Sequence, residues 1–301
     1  MADEQLTQVA TRSYLYGYPA LYNLDEISGL VTGESTLLDH VAVPWNTFGY
    51  ARSLLDHTAK FVSPNNDTLY LVAPLDLSGG PVRIDVPDTD DRYYVLQCID
   101  AWTNNFAYIG RRVTGTGAGS FTFVPPGFSG RIDDGSTVVH APTAIAIVVG
   151  RIQVDGEDDL PAVHALQARG TIPQADAAAP LAGIPAPAAG VAGDMLWWER
   201  LRVTLAAFPP PAGDAPFVDA LAQLGLTAPE SPFIDPDPEL ADVLGAGTEA
   251  GVAMIEQLVG GADHGADWMS AKHYFDYNLD HLDVGTIDTP DWKIADRTTA
   301  A

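Results

Sequence analysis

Cysteine is nearly absent. Cys98 stands alone in 301 residues, which excludes an intrachain disulfide and any multi-cysteine metal site. In the run YYVLQCI it reads as a small core residue, since free cysteine is among the most buried types. Basic residues are scarce too: 15 Lys and Arg stand against 40 Asp and Glu, a net charge of −25. A surface this acidic repels phosphate backbones, so nucleic acid and anionic membrane are poor partners. No apolar run reaches the roughly 18 residues of a membrane-spanning helix. The opening MADEQLTQVATRSY has acids where a secretory signal has a basic region, and no apolar stretch follows, so a cytoplasmic location is expected. The phosphate-binding loop, the dinucleotide-binding glycine motif, HExxH and GxSxG are all missing. His281 with Asp280 and Asp283 is the nearest approach to a metal set, but scattered His and Asp on an acidic surface ordinarily just solvate. No cofactor and no metal is expected.

What is present falls into three stretches of one overall domain. Residues 1–60 read as helical with irregular parts: Leu6, Val9, Ala10, Tyr14 and Leu15 recur near helical spacing up to Gly17 and Pro19. Tyr14, Tyr16, Tyr18 and Tyr22 form an aromatic face, suited either to packing on a sheet or to a pocket wall. Residues 61–155 read as strands. Val82, Ile84 and Val86 alternate with Arg83 and Asp85, and Ala144–Val149 is apolar on both faces, as in a central strand. Short turn signals (SGG, GTGAG, PPGFSG, DDGS) separate the runs. The fold class expected is α+β: a central antiparallel β-sandwich or barrel with helices before and after it. Residues 156–301 turn helical. Asp158 and Asp159 are candidate caps for a helix through Leu166, an Ala/Pro stretch at 173–192 reads as irregular, and helices follow at Met195–Phe208, Phe217–Leu224 and Glu239–Leu258.

Polar residues concentrate in two places, SPNNDTLY (Ser63–Tyr70) before a strand and QCIDAWTNN (Gln97–Asn105) after one. Strand parity puts Asp67 on the face of Leu69 and Leu71, and Asp100 on the face of Tyr94, Leu96 and Cys98. A carboxylate on a core face is costly unless hydrogen-bonded or functional. It serves either as a general acid or base with a raised pKa or as a cap on backbone N–H groups in a turn. Arg92 is a candidate partner for either carboxylate, which favours the structural role. Both motifs abut strand ends, so Asp67 and Asp100 are expected to meet at one mouth of the β-region, with Arg92 or Asn66 between them.

The run from Ser63 to Gly130 resembles the domain-of-unknown-function 1254 family. It carries that family's Pro-Asn-x-Asp-Thr-x-Tyr, Asp-Leu-Ser, Val-Pro, Arg-Tyr-Tyr, Asp-x-x-Thr-Asn, Gly-x-Arg and Thr-Gly elements in order, and Gly17-Tyr18-Pro19 and Asn46-Thr47-Phe48 fit upstream. The resemblance implies a β-rich domain with helical additions. It also implies a short form, since members usually continue into a second sandwich, the domain-of-unknown-function 1214, here either missing or supplied by a separate chain. Some members are loosely described as hydrolases. Two function classes follow. One is a cofactor-independent hydrolase or lyase on a small, partly apolar molecule, with Asp67 and Asp100 as acid and base and Arg92 binding or orienting a carboxylate. Asn66, Tyr70, Tyr94, Trp102 and Asn104 would line its pocket. The other is a non-catalytic module that binds a ligand or assembles with a second sandwich chain or its own copies.

Overall fold

The computed structural model describes residues 2–56, 65–173, 180–210 and 214–260. His57, Ser63, His273, Asp280, His281 and Asp283 lie outside the described residues. The chain divides into two compact units: residues 24–101 with 105–184, and residues 1–23 with 102–104 and 185–301. Among the described residues helices come first and last, with strands between them.

The β-rich unit holds two sheets. The larger has the order β1 (Gly49–Tyr50), β2 (Thr68–Asp76), β8 (Ile145–Gln153), β4 (Tyr94–Asp100), β5 (Asn105–Gly110), all antiparallel. The smaller has the order β3 (Val82–Val86), β6 (Gly119–Val124), β7 (Thr137–His140), with β6 and β7 parallel. Neither sheet closes into a barrel. The run that is apolar on both faces is β8, flanked on both sides by β2 and β4 as a central strand should be. The core lies between the inward faces: Leu69, Leu71 and Leu75 of β2, Leu96 and Cys98 of β4, Ile84 of β3 and Phe123 of β6. Phe106 meets Phe123 edge to face at 6.3 Å between centroids. Cys98 is fully buried, and burial pushes its thiol pKa up, so it is the inert core residue its neighbours in sequence suggested. Helix α2 (Leu160–Gln167) buries Val163 and Leu166 in the same core.

The helical unit is built from the start of α1 (Ala2–Thr32), α3 (Leu196–Ala207), α4 (Ala215–Leu221) and α5 (Pro238–Gly260). The helix α1 does not stop at Gly17 and Pro19 but runs through both. Gly17 is a contact point rather than a terminator: a Cβ there would come within 2.6 Å of Leu201. The tyrosine face packs on helices and not on a sheet. Tyr14 stacks on Trp197 at 4.2 Å, and Tyr16 donates to Asp214 at 2.8 Å and meets Phe217 at 4.9 Å. Glu199 is fully buried and held by Arg202, Ser231 and the Ala188 N–H. Burial works to raise its pKa, but these donors outweigh burial and hold it low.

Candidate functional site

The strand register separates the two carboxylates that parity had brought together. Thr68 pairs with Gln153 at one end of β8, and Asp100 pairs with Ala146 at the other. At ~3.3 Å per residue the two carboxylates are on the order of 20 Å apart along the sheet. The strand β8 lies between β2 and β4 and runs antiparallel to both, so β2 and β4 are parallel, and the start of one and the end of the other stand at opposite ends of the sheet. Asp67 itself is exposed, one residue before β2 begins, with its backbone carbonyl accepting from the Val154 N–H at 2.8 Å. Parity carried no information there, because β2 is buried on both faces. Asp100 is fully buried at the end of β4.

Arg92 bridges neither of them. Both of its terminal nitrogens bind the Asp159 carboxylate, Nη2 to Oδ1 at 2.8 Å, and Nη1 also donates to the Gln153 carbonyl at 3.0 Å. This explains why Asp159 makes no side-chain cap on α2. The Arg92 guanidinium, helped by the Asp155 N–H, holds the Asp159 carboxyl below the usual range. The five expected pocket residues do not gather either. Asn66 is exposed. Tyr70 pairs with Arg151 and Tyr94 with Ile152, on opposite faces of the same sheet. Trp102 and Asn104 are buried in the other unit, where Trp102 donates to the Phe208 carbonyl at 2.9 Å. Next to Tyr70, the NNDT turn is ordered by the Asn65 N–H donating to the Tyr70 hydroxyl and by Asn65 Nδ2 donating to Thr68.

Of the expected residues, Tyr94 alone lines a cleft within the β-rich unit. The cleft opens between the two sheets; its interior measures about 40 Å³, and about 400 Å³ once the open solvent at its mouth is included. Leu71, Leu96 and Ile152 form its floor, Phe48 and Tyr50 one wall, and Leu166 and Gln167 of α2 another. Gly150 shapes the floor: a Cβ there would come within 2.7 Å of both Leu71 and Leu96, so only glycine lets the two leucines meet over β8. Most polar atoms at the rim are already engaged. Gln167 donates to the Ala51 carbonyl and accepts from Arg52, and Thr89 donates to the Arg92 carbonyl. Tyr50, whose ring carries the Arg52 guanidinium at 5.3 Å, points its hydroxyl toward the Gly170 carbonyl at 3.4 Å. Burial raises its pKa to about 12 despite Arg52. The Tyr94 hydroxyl is different: it is buried without a hydrogen bond of good geometry. Its neighbour Thr114 is engaged with Gly110, and burial outweighs Thr114 to raise the Tyr94 pKa. Among the described residues no cluster of metal-ligating side chains occurs, and no helix is long and apolar enough to cross a membrane.

Sequence reasoning singled out Asn46-Thr47-Phe48 without assigning Phe48 to a pocket. It did not foresee Tyr50, Leu71, Leu96, Ile152 or Gln167. The available signal was the alternation of large apolar residues on β2 and β4, which reads equally as core.

Comparison with known proteins agrees with this architecture. The VPA0106 protein from Vibrio parahaemolyticus superposes with a TM-score of 0.68 at 21% identity over 85% of this chain. At that identity the likeness shows the fold alone, and this chain spans 60% of the length of that one. A putative uncharacterized protein from Burkholderia cenocepacia matches at 13% identity over 83% of this chain and 57% of its own, with a TM-score of 0.31. No curated protein matches. Residues 45–173, the greater part of the β-rich unit, match the model of the family described as "Protein of unknown function (DUF1254)".

Proposed function

We propose that the β-rich unit is a binding module for a small, largely apolar molecule taken into the cleft between its sheets. The observation that carries this reading is the cleft itself: apolar walls from several elements and a buried Tyr94 hydroxyl without a hydrogen bond of good geometry. Small-molecule sites have this composition, apolar walls with few polar groups. The carboxylate-pair hydrolase is not carried forward, because acid and base must reach one substrate and these two stand at opposite ends of a sheet. The apolar lining suits the apolar end of a small alcohol, with a hydroxyl for Tyr94 to meet. The acidic surface disfavours nucleic acid as the partner, and a cytoplasmic small molecule fits this reading.

The test is a thermal-shift screen with neutral aromatic alcohols, run on wild type and on Leu166→Phe, which adds bulk at the α2 wall. A dose-dependent rise in wild-type Tm that is absent in the variant supports the proposal. No rise with any compound, or the same rise in the variant, contradicts it.

A further inference from the structure

The outward face of the larger sheet carries a second feature, on the side away from the cleft's floor. A groove of about 490 Å³ runs beside the β4–β5 edge, lined by Tyr93, Val95, Tyr108, Gly110, Arg112 and Val113 among others. None of its lining residues is acidic, in a chain with 40 carboxylates. Arg112 reaches over the Tyr93 ring, 5.8 Å from guanidinium to centroid. One strand over, Arg151 pairs with Val95 on this same face and sits 5.2 Å over the Tyr70 ring.

Among the described residues, neither arginine has a carboxylate partner. Arg83, Arg92, Arg111, Arg131 and Arg202 are ion-paired, and Arg52 and Arg169 bind the Gln167 amide and the Asp88 carbonyl, whereas no Asp or Glu of the described residues reaches Arg112 or Arg151. Arg151 is nevertheless held in a fixed orientation. Its Nη1 donates to Gln97 Oε1 at 3.3 Å, and Gln97 Nε2 donates in turn to the buried Asn105 Oδ1 at 2.8 Å. That chain settles the direction of the Gln97 amide and leaves the other guanidinium donors of Arg151 without acceptors among the described residues. Val149 and Val95 flank it, half-buried, and Tyr108 is 42% exposed across from Gln97.

We infer that this groove binds a small aromatic carboxylate. Its ring would lie along Val95 and Tyr108, and its carboxylate would take the free donors of Arg151 and Arg112, the planar fork geometry for which guanidinium is suited. Charge complementarity carries the choice of ligand: Arg112 stands in a groove free of acids, Arg151 lies one strand over on the same face, and among the described residues neither has a carboxylate counter-ion. Tyr94 lines both the groove and the cleft, and the proposal rests on the two arginines rather than on the cleft reading.

The experiment is calorimetric titration of the full chain at low salt with phenylacetate and with its neutral isostere phenylacetamide. Phenylacetate is expected to bind, and phenylacetamide to bind about tenfold more weakly or not at all, as loss of a charged hydrogen bond implies. Arg151→Gln and Arg112→Gln are each expected to weaken phenylacetate about tenfold, with Arg151→Lys recovering only part because a point charge replaces the fork. Arg112 is exposed, so its variant decides the matter if Arg151→Gln does not fold. Equal binding of acid and amide, no binding of phenylacetate, or an affinity that neither arginine alters would overturn the inference.

Discussion

Arg92 and Asp159 illustrate how a candidate catalytic residue becomes a structural one. Both side chains are mostly buried, and the arginine ties the end of β8 to the residue that opens α2. The folded pKa of Asp159 lies below its unfolded value, chiefly through its hydrogen bond to Arg92. The stability it contributes is therefore fully present above the unfolded value of about 3.9 and is lost as pH falls through the folded one. Asp159→Asn, which keeps the shape and loses the charge, should cost about 1–3 kcal/mol at neutral pH. That gap should narrow steadily below about pH 4. Denaturant midpoints from pH 7 to 2.5 check this; a gap that does not change with pH would mean that the charge contributes nothing.

At the scale of elements, helix packing in the second unit depends on close approach. On α5, a Cβ at Gly247 would sit 2.5 Å from the Ala10 Cβ of α1, while a Cβ at Gly245 would meet nothing within 4 Å. Glycine to alanine inside a helix ordinarily stabilises by about 0.5–1 kcal/mol. Gly245→Ala should follow that rule. Gly247→Ala should reverse it, because the backbone of α1 has to move. Thermal melts of the two variants that shift in the same direction would contradict the packing described here. Elements were also where the sequence was most legible. The alternation at Val82–Val86 and the two-faced apolar run at Ala144–Val149 appear as β3 and as the central strand β8. The β7 strand was not read, being short and mostly exposed, and its parallel pairing departs from the antiparallel expectation. Pro19 misled in the other direction, since α1 is held by tertiary contacts along its length and tolerates the missing hydrogen bond.

The whole molecule is governed by its charge and by strand order, one legible in the sequence and the other not. With a net −25, self-repulsion is large at low ionic strength and is relieved by screening. The melting temperature should rise from about 10 mM to about 300 mM salt, where the Debye length falls below ~10 Å; a flat or falling curve would count against this. Strand order is a property of long-range pairing, and local pattern does not encode it. Asp67 and Asp100 each look poised in their own motif, and the parallel direction of β2 and β4 on either side of β8 parts them. The same strand order brings Leu71, Ile152 and Leu96 side by side beneath the cleft. Methyl NMR of the isoleucine- and leucine-labelled chain, titrated with 4-ethylphenol, tests the cleft most directly. The binding account predicts dose-dependent shifts at Leu71, Leu96, Ile152 and Leu166, with Leu201 and Leu205 of the other unit unmoved; shifts confined to other methyls, or none up to saturation of the probe, would contradict it.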